Sequence, residues 1–130
     1  MSTNKISIVV LSDDREHLQM AGMMASVGAV SGNEVTVFVS MNALKYFIKG
    51  AADKAPAEGM MGGLLESKNA PSFKTLFQQA VELGDANIHP CTMAMDVLGL
   101  EPRDLEPYVK EPMGLTKFLD NAQAGQVWSF

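Results

Sequence analysis

The sequence predicts a three-layer α/β sandwich: a mostly parallel sheet of four or five strands with helices on both faces. Three observations predict it. Short β-branched runs alternate with segments of helical periodicity, the connections between them are short, and hydrophobic residues make up 47% of the chain against 19% charged. Alternating strands and helices with short links build right-handed βαβ units and hence a parallel sheet.

The first strand is Ile6 to Leu11 (ISIVVL), a nearly continuous apolar run that suits a central strand buried on both faces. Ser12, Asp13 and Asp14 end it. Asp13 followed by Glu16 has the shape of a capping box, so a helix is expected from there. Leu18, Ala21, Met24, Ala25 and Gly28 recur at helical spacing. The small residues Ala21, Gly22, Ala25, Gly28 and Ala29 allow close approach to a sheet or another helix. Gly32 and Asn33 stop this helix.

Glu34 to Val39 (EVTVFV) is the second strand. Ser40 is placed to cap a helix over Met41 to Lys49, with Leu44, Phe47 and Ile48 inward and Gly50 at its end. Residues 51 to 70 read as a long irregular loop. Its apolar patch of Met60, Met61, Leu64 and Leu65 suggests an oligomer contact or a lid. Pro71 and Ser72 open a helix in which Phe73, Leu76, Phe77, Ala80 and Val81 form an apolar stripe, and Gly84 ends it. Asp85 to His89 reads as a third strand closed by Pro90. Thr92 to Leu98 reads as helix, with Gly99 at its end. Glu101 to Pro107 holds a helical turn, and Tyr108 to Lys110 a short fourth strand. Pro112 opens a helix with Leu115, Phe118, Leu119 and Ala122 on one face, and Gln126 to Phe130 makes the last strand. The 130 residues read as one domain, without internal repeat.

Composition narrows the function. The formal net charge is -5 and no basic stripe is present, which argues against a general nucleic-acid binder. No run of about 18 apolar residues exists, so no membrane span is expected. The N-terminal segment Met1 to Lys5 lacks the order of a secretory signal, and a single cysteine suits a reducing compartment, so the expected location is cytoplasmic.

Any covalent chemistry falls to that cysteine, Cys91. It follows a strand's carboxyl end and starts a helix, where open α/β sheets place their sites. Orphan N–H groups there favour an anion such as a thiolate or persulfide. His89, two residues earlier, points to the same side of an extended chain and is in place to take the thiol proton. His17 follows the end of the first strand and reads as solvated. Asp13 and Asp14 also stand at a strand's carboxyl end; capping explains Asp13, and a metal site needs more ligands than the sequence places. No C-x-x-C, Walker, G-x-S-x-G or H-E-x-x-H motif occurs, and nothing supports a nucleotide or flavin cofactor.

The segments ISIVVLSDD, HLQMAGMMASVGAVSGNEVTVFVSMNALKYF, HPCTMAMDVLGL, EPMGLTKFL and QVWSF together resemble the DsrE/DsrF-like family of small sulfur-relay proteins. The cysteine followed by a helix and then Gly99-Leu100 is the most diagnostic part, and the likeness is to a small single-cysteine branch. The resemblance implies a flavodoxin-like sandwich that assembles into homo- or hetero-oligomers. It also implies a sulfur carrier or sulfurtransferase in which Cys91 accepts sulfane sulfur and passes it to an acceptor protein. Thiosulfate, tetrathionate and a protein persulfide are candidate donors. The resemblance assigns no role to His89. Some members of that branch carry a peroxiredoxin label. It fits poorly here, because the residues before Cys91 lack the P-x-x-x-T-x-x-C setting of a peroxidatic cysteine. Two rival functions remain open: a non-catalytic assembly or regulatory scaffold, and a thiol peroxidase with a resolving thiol from elsewhere.

Overall fold

The computed structural model describes residues 4–130; Met1 to Thr3, the start of the segment read for a targeting signal, lie outside the described residues. Four parallel strands form one sheet: β1 (Lys5–Val10), β2 (Glu34–Val39), β3 (Asn87–Pro90) and β4 (Gln126–Ser129), in the order β3-β2-β1-β4. Five α-helices accompany them: α1 (Arg15–Val30), α2 (Met60–Ser67), α3 (Phe73–Gly84), α4 (Thr92–Leu98) and α5 (Leu115–Asn121). The result is the expected three-layer α/β sandwich of flavodoxin-like type.

The two faces of the sheet are covered differently. On one, Ile8, Val10, Val35, Val37 and Val39 are buried beneath α1 and α3. Small residues let these layers close. A Cβ added at Gly22 would lie 3.1 Å from Leu76 of α3, and one at Gly28 would lie 3.4 Å from Val35 of the sheet. Phe47, Phe73 and Phe77 fill the space beyond, with the Phe47 and Phe77 rings 5.2 Å apart edge to face. On the other face, α5 covers β2 by stacking Phe118 on Phe38 at 4.7 Å. Asn121 of α5 donates to the Thr36 hydroxyl and, through its backbone carbonyl, accepts from Lys5 Nζ. Beside α5, Val9 is only half-buried and Val127 is 49% exposed.

Several elements depart from the expectation. The N-cap of α1 is Asp14, whose carboxylate accepts from the His17 amide; Asp13 instead pairs with Lys45 at 3.3 Å. Glu16 therefore closes no capping box. The segment Met41–Phe47 is a 3₁₀ helix. Its buried pairs Ala43/Tyr46 and Leu44/Phe47 are three apart, the period at which 3₁₀ side chains align. The chain must also extend at once, because Ile48 bridges Leu105 and the Glu106 amide donates to the Phe47 carbonyl.

Residues 51 to 70 are not wholly irregular, since α2 lies within them. Its N-terminus is capped from another helix: the Glu16 carboxylate accepts from the amides of Glu58, Gly59 and Gly62 at 2.7 to 3.0 Å. Those three donors hold Glu16 well below its usual range, at about 2. The third strand runs Asn87–Pro90 and includes Pro90. Tyr108 to Lys110 forms no strand, although the Lys110 amide does bond the Ile88 carbonyl at 2.7 Å along the outer edge of β3. The last helix starts at Leu115, three residues after Pro112, and only Phe118 and Ala122 of its expected inward face are buried.

Candidate functional site

Cys91 stands where β3 gives way to α4, as its N-cap residue. Three backbone links hold it. Its amide donates to the Val39 carbonyl at 2.8 Å, continuing the β2–β3 ladder, and the residue bridges Met113 in parallel register. The amides of Met113 and Thr92 close this bridge onto Pro90 and Met113 carbonyls, at 2.9 and 3.2 Å. Odd-numbered residues of β3 bond to β2, so the missing N–H of Pro90 falls on the outer edge, where no ladder needs it.

The Cys91 side chain makes no capping hydrogen bond. The amides of Met93 and Ala94, the two that an N-cap side chain normally satisfies, have no acceptor among the described residues. Cys91 is 7% exposed and lines a cavity of about 490 Å³ at the carboxyl end of the sheet. Val9, Leu11, Phe38, Met41, Met93 and Leu115 make its walls apolar, with Ser40, Thr92 and Asp96 supplying polar edges. Met41 takes a left-handed backbone conformation at φ 50°. Such a conformation costs a non-glycine residue about 1–2 kcal/mol and clusters at working sites.

His89 lies on the same sheet face, in register with Phe38, and is 7% exposed. Its Nδ1–H donates to the Glu111 carbonyl at 2.8 Å. A carbonyl can only accept, so Nδ1 carries the proton and Nε2 is left as the basic nitrogen. No protein group among the described residues bonds that Nε2, and no hydrogen bond joins His89 to Cys91. The two residues border different spaces. His89 lines a cavity of about 360 Å³ with Thr36, Asn87, Lys110, Lys117 and Asp120. Its bond to Glu111 also pins the 108–113 segment whose far end bridges Cys91.

His17 is on the rim beyond β1, hydrogen-bonded to the Asp14 carboxylate at 2.8 Å, and it does not line the Cys91 cavity. Asp14 raises its pKa above the usual histidine value. Glu58 approaches to 3.6 Å, so Asp14, His17 and Glu58 form a trio with donor atoms within 4.8 Å of one another. The helix cap and the His17–Asp14 bond account for this geometry without an ion. Sequence reasoning missed Glu58, because it reaches this rim only through the Glu16 clamp on α2. It also missed Met41 and Met113, and nothing in their local sequence marks a positive φ or a bridge to a residue 22 positions away.

Residues 48–130 match the model of the DsrE/DsrF/DrsH-like family. The chain belongs to that family. The matched part contains β3, Cys91, α4, α5 and β4, hence the cysteine-bearing half of the fold. No curated protein matches the chain. Among solved structures, a protein of unknown function from Methanobacterium thermoautotrophicum superposes with a TM-score of 0.70. The two share 8% identity, and the alignment covers 98% of this chain and 99% of that one. That likeness establishes the fold. Membership of the DsrE/DsrF/DrsH-like family points to sulfur relay at the level of the family. Among the described residues, no helix is long and apolar enough to cross a membrane.

Proposed function

We propose that this protein is a cytoplasmic sulfur carrier that holds sulfane sulfur on Cys91 and relays it to an acceptor protein. The observation that carries the reading is the setting of the sole cysteine: at the sheet's carboxyl end, in an apolar cavity, beside two unengaged amides. Family membership supports the same chemistry.

The Cys91 thiolate attacks the sulfane sulfur of a donor persulfide, forming a Cys91–S–S⁻ persulfide and releasing the donor thiol. With tetrathionate the same attack breaks the central S–S bond, leaving Cys91–S–S–SO₃⁻ and expelling thiosulfate. An acceptor thiolate then takes the outer sulfur and regenerates the Cys91 thiolate. The Met93 and Ala94 amides are the donors we assign to the charged outer sulfur. Leu11, Met41, Met93 and Leu115 give the adduct an apolar setting. His89 is the group we assign to take the thiol proton, supported by its place on the same face and its free Nε2.

Intact-mass spectrometry after incubation with tetrathionate, thiosulfate and a protein persulfide tests this. The expected result is a sulfur adduct on wild type, removed by dithiothreitol and absent from Cys91→Ser. An adduct retained by Cys91→Ser contradicts the mechanism. A thiol that labels freely yet loads from no donor favours the scaffold reading. Rapid sulfenic acid formation with peroxide favours the peroxidase reading.

A further inference from the structure

The charge of the Cys91 cavity narrows the class of donor. Among the described residues that line it, Asp96 is the only charged one, and no lysine, arginine or histidine borders the space. Thr92 and Asp96, one turn of α4 apart, both line the cavity beside Cys91. Basic residues on the flanking elements face other groups. Lys45 of the 3₁₀ segment pairs with Asp13 at 3.3 Å, and Lys117 of α5 lines the separate His89 cavity. Apart from Ser40 and Thr92, the other side chains around Cys91 are apolar.

We propose that this cavity selects a neutral, apolar sulfane-sulfur molecule, an organic polysulfane or elemental sulfur, and that Asp96 turns away divalent anions such as thiosulfate and tetrathionate. The inference rests on the carrier reading and names its donor class. A dianion entering the cavity leaves water, and no cation there offsets that cost. It also meets like charge from the Asp96 carboxylate and from the attacking thiolate. An unpaired charge set against an unwanted ligand is a common source of specificity. A neutral sulfane meets neither penalty and gains from contact with the apolar and thioether side chains. The cavity, about 490 Å³, falls in the size range of small-molecule sites. With octasulfur, the Cys91 thiolate attacks one ring sulfur. An Sγ–S bond forms, one ring S–S bond breaks, and its electron pair stays on the far end of the opened chain, giving Cys91–S–S₈⁻. With dimethyl trisulfide, attack on the central sulfur gives Cys91–S–S–S–CH₃ and releases methanethiolate. Neither step needs an oxidant or a reductant.

Timed intact-mass spectrometry on the full chain gives the test. Loading by tetrathionate, octasulfur, dimethyl trisulfide and a protein persulfide is followed at low salt. Each rate is divided by that of N-acetylcysteine amide, a neutral thiol, with the same donor, which removes the donors' own reactivity. On this scale wild type is expected to load from a neutral donor at least about tenfold faster than from tetrathionate. Asp96 is exposed, so its variants are expected to fold. Asp96→Lys is expected to raise the ratio of tetrathionate loading to neutral-donor loading about tenfold, and Asp96→Asn about threefold. Salt should shrink both changes, because exposed charges are screened over about 10 Å at 0.1 M. Loading from octasulfur alone assigns the sulfur ring, and loading from the trisulfide alone assigns an organic polysulfane. Tetrathionate loading as fast as that from either neutral donor overturns the proposal, as does a ratio that Asp96→Lys leaves unchanged. So does loading from the protein persulfide alone. These three results leave the carrier reading standing, whereas an accessible thiol that loads from no donor sinks both.

Discussion

The two faces of the sheet divide the molecule's work. The face under α1 and α3 is close-packed, with Ile8, Val10, Val35, Val37, Phe47, Phe73 and Phe77 all fully buried or nearly so. The face under α5 carries the polar and reactive groups: Ser7, Thr36, Ser40, His89 and Cys91 are buried there beside half-open apolar residues. The Ser7 hydroxyl even lacks a hydrogen-bond partner among the described residues. Close packing is concentrated on the first face, and the chemistry we propose on the second. Tight packing leaves no room for an adduct, whereas a loosely covered face can hold a cavity beside the strand ends.

Substitutions on either side of the sheet sharpen that contrast. The largest stability effect is expected from Phe77→Ala, which opens a cavity under the closed face and costs about 3–5 kcal/mol. Chemical denaturation measures it, and sulfur loading of the folded fraction should be preserved. Cys91→Ser is expected to do the opposite, abolishing loading while changing stability by less than about 2 kcal/mol. A buried hydroxyl costs about 1–3 kcal/mol, but serine is also a good N-cap, and the two effects offset. A Cys91→Ser protein as unstable as Phe77→Ala would break the division between the faces.

A smaller effect is expected at Glu16. Its folded pKa, about 2, lies below the ordinary value of 4.5. The sign follows: its contribution is fully present above pH 4.5 and is lost as pH falls toward 2. Protection of the Glu58, Gly59 and Gly62 amides against hydrogen exchange, relative to their intrinsic rates, should fall over that window in wild type, and at neutral pH in Glu16→Gln. Equal protection in both would remove the clamp. The smallest effect is expected from His89→Ala. Loading should slow near neutral pH, and the pH profile of loading should change. A uniform slowing with an unchanged profile would make His89 a positioning residue that only anchors Glu111.

Much of the fold was legible in the sequence. The bounds of β2 follow from a β-branched run, those of α3 from its apolar stripe and its Ser72 cap, and the limits of α4 from Cys91 and Gly99. The position of Cys91 was legible too, since strand-end and helix-start signals meet there. The misreadings share one cause, a long-range partner that overrides local pattern. Gly59, Gly62 and Gly63 make 59–67 a poor helix by propensity, yet Glu16 caps it from α1. Gly62 is required there, because an added Cβ would lie 2.5 Å from the Ala57 Cβ and 2.8 Å from its Cα. Leu115 and Leu119 match a buried stripe, but both stay exposed. That His89 and Cys91 border separate cavities depends on the 111–114 segment crossing between them, which spacing along the chain does not encode.

A carrier must give sulfur away as well as take it, so transfer is the most direct test. Protein loaded on Cys91, freed of donor and mixed with an acceptor thiol, is followed by intact mass over time. The account predicts that the added sulfur leaves Cys91, appears on the acceptor, and that the unloaded protein can be loaded again. An adduct that stays on Cys91 in the presence of acceptor thiols would contradict it.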